Sequence, residues 1–299
     1  METIEIDLIR LFVKVIQHGS FSKAADSLRI PKSTVSKSIS RLESVTGTKL
    51  LLRTTRSQTL TAAGRAFYET CLGPIQVLEE AQKSLHGQEN IVSGGIKLTA
   101  PEDMGAKIIA PAIGELSRLH PGLEFELNYT NDVIDLVRDG YDLAIRIGKL
   151  SESNLRSRKV ADLVTVVVAS PGYIKRAGKP KHPKELREHE AIMLDSKAAR
   201  WTLKKGKETS AVDFKTRIAC NHMTSILQIA LIDAGVAVVP HYLCRDELEK
   251  GRLIQLLPDW NMVTLPVSML SPMSFTSSAR LKLVSDHLLA ALQKGMAVD

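Results

Sequence analysis

The stretch that decides the fold runs Ser20-Phe21-Ser22-Lys23-Ala24-Ala25-Asp26-Ser27-Leu28-Arg29-Ile30-Pro31, then Lys32-Ser33-Thr34-Val35-Ser36-Lys37-Ser38-Ile39-Ser40-Arg41-Leu42-Glu43-Ser44-Val45-Thr46-Gly47. Ser22 reads as the N-cap of a short helix whose Ala24, Ala25 and Leu28 face inward. Ala25 stands where a capping box needs Glu or Gln, so that box is absent. Arg29-Ile30-Pro31 interrupts the pattern, and Pro31 suits a helix start or the turn before it. A further helix is predicted from about Lys32 to Val45, with Val35, Ile39 and Leu42 on its buried face and Gly47 as its stop. Two short helices around a tight turn, the second polar on its outer face, form a helix-turn-helix pattern.

The flanks extend this reading. Upstream, Leu8, Leu11, Phe12, Val15 and Ile16 share one helical face over residues 7–18, and Gly19 closes it. Downstream, two short β-prone runs flank the basic turn Arg53-Thr54-Thr55-Arg56, as in a hairpin. A hairpin beside a recognition helix is a wing, and its Arg53 and Arg56 are placed for phosphate backbone or the minor groove. On the recognition helix, Lys32, Ser33, Thr34, Ser36 and Lys37 carry hydroxyls and ammonium groups that reach phosphates and base acceptors in a major groove. The same face also suits a generic amphipathic helix with a solvated Ser/Lys side.

Charge separates the head from the rest. The chain has 299 residues and a formal net charge of +7. Residues 1–65 hold eleven Lys/Arg against five Asp/Glu, and residues 66–299 hold 29 against 28. Between Arg29 and Arg65 the only acid is Glu43. A local basic excess is the footprint of a polyanion binder, or of a solvated basic face. Hydrophobic residues at 44% and charged residues at 24% exclude long disorder and fit two or three domains. Apolar runs such as Leu163 to Ala169 are too short to span a membrane. The acidic start Met1-Glu2-Thr3-Ile4-Glu5 lacks an apolar signal core, so a cytoplasmic protein is expected.

The order and spacing of these motifs over residues 4–65 resemble the LysR-type transcriptional regulators. The resemblance is carried by Ser20-Phe21-Ser22-Lys23-Ala24-Ala25, by Thr34-Val35-Ser36-Lys37-Ser38-Ile39-Ser40-Arg41-Leu42-Glu43, by Leu51-Leu52-Arg53-Thr54-Thr55-Arg56, and by Leu60-Thr61-Ala62-Ala63-Gly64. It implies a double-stranded DNA operator, a small-molecule effector, a homodimer or homotetramer, and RNA polymerase as a partner if the protein activates. Neither a membrane nor a cofactor is implied.

Residues 61–88 are expected to form one linker helix capped by Thr61, about 42 Å long at ~1.5 Å per residue. Phe67, Cys71, Pro74, Leu78, Ala81 and Leu85 follow a 3-4 spacing, which suits packing on the chain's own body or a coiled-coil seam. The resemblance implies the seam, pairing two subunits. Gly73-Pro74 predicts a kink or a break, because an interior proline removes a helix hydrogen bond.

The remainder, residues 89–299, reads as two α/β lobes around a cleft. Lobe I is expected at about 93–163 and 269–293, and lobe II at about 164–268. Strand Ile96–Ala100, a helix through Ile109 to Leu119, strand Glu124–Tyr129, a helix over Asp132–Asp139 and strand Leu143–Ile147 imply a parallel sheet. Leu163 to Ala169 reads as one buried strand. Lobe II is expected to hold a hairpin around Lys204 to Ser210, a strand near Ile218, a helix from Thr224 to Ala234 and strand Val236–Val239. Leu281 to Leu292 is a closing helix.

Ligands in such sheets sit at strand ends and between lobes. The resemblance implies an effector domain similar to periplasmic binding proteins. By position it places Pro101, Glu102, Asp103, Met104, Thr130, Asn131, Arg146 and Gly148 on one wall, and Trp201, Asn221, His222, Met223 and Pro240 on the other. Glu102 and Asp103 either bond ligand donors or cap the helix behind them. Arg146 and His222 either neutralise a ligand carboxylate or are ordinary surface or interlobe residues.

Catalytic signatures are absent. The chain has no GxxxxGK[ST] loop, no GxGxxG after a strand, no HExxH and no GxSxG, so no enzyme activity and no metal site are expected. The alternatives to a regulator are an enzyme or solute-binding body with a basic head, and a non-specific architectural DNA protein. Cys71, Cys220 and Cys244 are too few for a disulfide framework. Cys220 and Cys244 read as small buried hydrophobes or as a redox pair on adjacent elements.

Overall fold

The structure is a computed structural model that describes residues 4–53, 58–84, 92–150, 155–194, 200–214 and 216–298. The head begins with α1 (Ile6–Gln17), α2 (Phe21–Leu28) and α3 (Lys32–Thr46). Leu8, Phe12, Val13, Val15 and Ile16 of α1 close over Ala24, Ala25, Val35, Ile39 and Leu42. Helix α2 starts two residues earlier than the Ser22 cap predicts. Ser20 is extended, and its Oγ accepts the Lys23 amide at 3.1 Å. Gly19, at φ +67°, turns the chain so that the first of the two serines meets the open helix end. Arg29 adopts the left-handed conformation, Pro31 caps α3, and Gly47 ends it.

The wing is the antiparallel pair β1 (Leu51–Arg53) and β2 (Gln58–Leu60), in register Leu51 to Leu60. Thr61 Oγ1 accepts the Gly64 amide at 2.9 Å and starts α4 (Ala62–Ser84). A side chain at Gly64 would collide with the Leu50 carbonyl, 2.0 Å from an ideal Cβ. That closeness fixes the wing against α4. The helix runs through Pro74 without the break that was one of two expected outcomes. Pro74 and Thr70, whose carbonyl the proline leaves without its usual donor, are both exposed, so water can satisfy that carbonyl. The predicted apolar stripe divides. Phe67 and Cys71 are half-buried against the core, whereas Pro74 and Leu78 are exposed. Leu85 lies outside the described residues.

Tyr68, Leu72 and Ile75 of α4 join the head's core to that of the body in one continuous apolar cluster. The body follows as β3 (Gly94–Ala100), α5 (Glu102–Met104), a π-helical turn (Gly105–Ile109), α6 (Ala110–Leu119), β4 (Leu123–Tyr129), β5 (Leu143–Ile147), β6 (Arg156–Leu163), β7 (Thr165–Ala169), α7 (Pro171–Ala177), β8 (Ala191–Met193), β9 (Arg200–Lys205), β10 (Glu208–Asp213), β11 (Thr216–Ala219), α8 (Met223–Leu231), β12 (Val236–Pro240), α9 (His241–Glu249), β13 (Ile254–Leu256), β14 (Asn261–Met262), β15 (Leu265–Ser271) and α10 (Ala279–Met296). One five-stranded sheet has the order β4-β3-β5-β15-β6 and the other β11-β8-β12-β7-β13. A three-stranded sheet, β10-β9-β14, backs the second lobe.

Two body elements differ from the sequence reading. The apolar run Leu163 to Ala169 is divided at Val164: Leu163 ends β6 in the first sheet and Thr165 opens β7 in the second. Both sides of the crossing are buried, so hydropathy shows no seam. Residues 132–139 are not a helix but bends and turns before Gly140. The Asp135 carboxylate accepts the Arg138 amide at 3.1 Å, a local bond that competes with helical pairing. The parallel pairing of β3 with β5 forms without a helical crossover between β4 and β5.

Candidate DNA-contact face and interlobe cavity

The N-terminal end of α3 is open. Pro31 offers no side-chain cap; its carbonyl takes the Thr34 amide at 2.9 Å, and the amides ahead of Thr34 face water or an anion. Lys32, Ser33, Thr34 and Lys37 are exposed around that end, and Ser36 is half-buried. The opposite face of α3 is fixed by the core residues Val35, Ile39 and Leu42. Arg53 belongs to β1, opposite Gln58, while Arg56 lies outside the described residues.

One residue that positions this face is Glu43. It is 4% exposed, and its carboxylate accepts the Leu50 and Leu51 amides at 3.0 and 3.1 Å and pairs with Lys49 at 2.8 Å. Burial alone would raise its pKa, but Lys49 and the two amides outweigh burial and hold the carboxyl below its ordinary range. Glu43 therefore pins the start of the wing to the recognition helix. A single acid at an apolar-periodic position of a basic helix was the sequence signal for it.

A cavity of about 950 Å³ opens between the two five-stranded sheets. Pro101, Asp103, Thr130, Asn131 and Arg146 line it from the first lobe, and Trp201, Asn221, Met223 and Pro240 from the second. Four residues expected on its walls do not line it. Met104 is fully buried beneath α5, because its helical position turns the side chain into the core. Gly148, at φ +102°, bends the chain just after β5, and its amide donates to the Pro266 carbonyl of β15. Glu102 and His222 are engaged with each other at 2.7 Å. Sequence reasoning missed apolar wall residues such as Leu163, Ile192, Met193, Val238, Met262 and Leu265. They sit on or beside buried strands, where periodicity does not separate wall from core.

Three side-chain pairs bridge the lobes beside this cavity. His222 caps α8 by accepting the Ser225 amide on Nδ1, which leaves Nε2 to donate to Glu102. The Tyr242 hydroxyl donates to the buried Asp103 carboxylate, and burial, followed by that carboxylate, pushes its pKa far up. Lys107 pairs with Asp246, whose carboxyl it holds below the ordinary range. Asp103 touches both the cavity and this bridge, while Glu102 belongs to the bridge alone.

Arg146 is the cavity's half-buried cation. It projects from β5 and donates to Thr99 Oγ1 at 3.1 Å, to its neighbour's carbonyl on Ile145 at 3.1 Å, and to the Asp132 carbonyl at 3.4 Å. Burial pushes its pKa below the ordinary arginine value. Among the described residues no carboxylate pairs with it. Cys220 also lines the cavity, half-buried, with its thiol toward the His222 carbonyl. Cys244 is buried, and burial pushes its thiol up to about 12. All three cysteines are free. Among the described residues no helix is long and apolar enough to cross a membrane.

Residues 6–65 match the family described as bacterial regulatory helix-turn-helix protein, lysR family, and residues 90–293 match the LysR substrate binding domain. An uncharacterized HTH-type transcriptional regulator of Haemophilus influenzae is 32% identical over 90% of this chain and 94% of its own. The solved structure of CrgA, a LysR-type transcriptional regulator from Neisseria meningitidis, is 25% identical, has a TM-score of 0.62 and covers 97% of this chain and 99% of its own. Full-length LysG from Corynebacterium glutamicum, solved with its effector Arg, shares the fold at a TM-score of 0.68 and 15% identity, over 99% of this chain and all of its own.

Proposed function

The chain belongs to the LysR family of DNA-binding, effector-responsive transcriptional regulators, and from that premise we propose how its parts divide the work. Residues 1–60 form the DNA-binding head, 61–88 the linker and 89–299 the effector body. Lys32, Ser33, Thr34, Ser36 and Lys37 enter the major groove and meet its phosphates, and Arg53 and Arg56 hold the flanking backbone. The effector occupies the interlobe cavity and shifts lobe closure. Two chains pair through the linker helices, as a dimer or within a tetramer, so that a change in lobe closure changes the spacing of the heads. The protein acts in the cytoplasm, without a cofactor and without catalysis, and meets RNA polymerase if it activates.

The observation that carries this reading is the exposed, uncapped and cationic N-terminus of α3. A helix N-terminus favours anions, and lysine beside it adds charge-assisted contacts to phosphate. The test is selection of genomic DNA fragments by the purified chain at one fixed salt concentration. A few enriched sites with partial dyad symmetry are expected, at a specificity of ~10³ or more over random DNA. Uniform recovery would overturn sequence-specific reading, and no recovery would overturn the DNA assignment itself.

A further inference from the structure

We propose that the effector is a small organic carboxylate with an aromatic or bulky apolar body, anchored by Arg146. The proposal rests on the reading of the interlobe cavity as the effector site and names the chemistry that cavity selects.

Charge decides the polar end. The cavity wall holds Arg146, Arg200 and Asp103 as its ionisable side chains of fixed sign. Arg200 is 65% exposed on its side chain and has Asp213 at 3.6 Å, so water and a partner already serve it. Asp103 is 7% exposed and accepts the Tyr242 hydroxyl, so it is committed to the interlobe bridge. Arg146 differs from both. Its guanidinium is half-buried and its described partners are a hydroxyl and two carbonyls, all neutral. Neutral dipoles compensate a partly desolvated cation only in part, and a carboxylate completes the compensation. Nη2 is held by Thr99 and, at 3.4 Å, by the Asp132 carbonyl, and Nη1 by the Ile145 carbonyl, so a carboxylate enters on a remaining N–H or by displacing the long Asp132 bond, and a charge-assisted bond there selects it over a hydroxyl or an amide.

The placement of Arg146 favours such recognition. It sits on a central strand, β5, between β3 and β15, opposite Ser268. Its Nη2 is held by Thr99, which is fully buried. A group fixed by sheet and buried neighbour is oriented before the ligand arrives.

The walls decide the other end. Trp201, Leu163, Ile192, Met193, Met223 and Met262 surround the space. Trp201 is backed by Phe214 with ring centroids 4.3 Å apart, so its ring is held in place. Methionine sulfurs favour aromatic neighbours and adapt to irregular apolar shapes. A volume of about 950 Å³ exceeds what a two- or three-carbon acid fills. A cationic or strongly polyhydroxylated ligand would leave Arg146 unpaired and desolvate its own polar groups against these walls.

The test uses the full chain and a panel of aryl carboxylates of graded size, benzoate, phenylacetate and indole-3-acetate, each beside its carboxamide. Trp fluorescence and thermal shift are followed at constant ionic strength. At least one carboxylate is expected to bind at millimolar concentration or below, and about 10- to 100-fold more tightly than its amide, the range for a hydrogen-bonded charge. Arg146→Gln is expected to abolish that preference. Equal affinity for acid and amide overturns the proposal, and so does absence of binding by every acid in the panel. The wild-type comparison stands even if Arg146→Gln does not fold. Specific DNA binding that persists without carboxylate binding removes the ligand class and leaves the regulator reading in place, whereas loss of both removes that reading too.

Discussion

Arg65 Nη2 lies 2.9 Å from Asp135 Oδ2, and this ion pair ties the start of the linker helix to the segment that also carries the Asp132 carbonyl bonded by Arg146. Arg146 and the start of α4 thus meet on opposite sides of one short segment, residues 132–135.

The Arg65–Asp135 pair should matter more for coupling than for stability. Both side chains are 39% exposed, and such pairs contribute about 0.2–1 kcal/mol. A double-mutant cycle of Arg65→Ala and Asp135→Asn should return a coupling energy in that range and reduce the change in operator affinity that the effector produces. Burial raises the Asp135 pKa, but the Arg65 side chain and backbone amides outweigh it and hold it low. Its contribution is therefore present above the unfolded carboxylate value of about 3.9 and lost as pH falls through the folded value. Melting curves of wild type and Asp135→Asn should differ at neutral pH and converge in acid. A constant difference across that range would contradict the assignment.

Glu43→Ala should uncouple the wing from the recognition helix. It removes the acceptor of the Leu50 and Leu51 amides and the partner of Lys49. Leaving buried donors without partners costs about 1–3 kcal/mol each, less whatever water restores. The head's melting temperature should drop, and operator affinity should drop with it. The Glu43 carboxyl is held low, so its stabilising effect is present above about 4.3 and declines as pH falls through the lower folded value. A variant that melts and binds as wild type would remove Glu43 from this role.

The head was legible in the sequence because its spacing carried the information: apolar positions three and four apart in α1 and α3, and glycines at the ends of both. The cap of α2 was misplaced because Ser20 and Ser22 offer the same hydroxyl, and the choice depends on the backbone at Gly19. In the body, periodicity located strands but not their sheet, so the crossing at Val164 was hidden inside an apolar run. The resemblance, carried over by position, put Thr130, Asn131, Arg146 and Asn221 on the cleft, but also Glu102 and His222, which pair with each other instead. The cleft's apolar walls were not legible, because Ile192 or Val238 looks the same in a sequence whether it faces a core or a ligand. The mutual capture of Glu102 and His222 joins residues far apart in the chain, and no local pattern announces it.

Tyr242→Phe should loosen the two lobes. The hydroxyl bridges α9 to the buried carboxylate of Asp103 in α5. Its loss leaves that carboxylate short of a donor, at a cost of about 1–3 kcal/mol. Chemical denaturation should show the loss, and small-angle scattering should show a more open body without effector. An unchanged scattering profile together with unchanged stability would mean that the bridge is not holding the lobes.

The cysteines should separate by reactivity. Cys244 is fully buried with its thiol near 12, which leaves almost no thiolate at pH 8. Cys220 is half-buried at the cavity wall. Mass spectrometry after brief iodoacetamide treatment should find Cys220 alkylated well before Cys244, and a carboxylate bound in the cavity should slow labelling of Cys220. Early labelling of Cys244 would require an opening of the second lobe that the fold does not suggest.

Lys37 offers the sharpest test of the DNA-contact face. It is exposed on α3 one turn from the uncapped end, whereas Arg41 on the same helix is engaged with Glu5 at 2.7 Å. A lysine that meets phosphate releases a counterion, so Lys37→Ala should lower the salt slope of operator binding by about one and weaken all sequences alike. A lysine that reads a guanine should instead relax specificity at one base pair, by about 1–3 kcal/mol. Both outcomes place Lys37 on the DNA and differ only in what it touches. An unchanged affinity with an unchanged slope would move the contact surface elsewhere on the head, and Lys32 would be the next residue to replace.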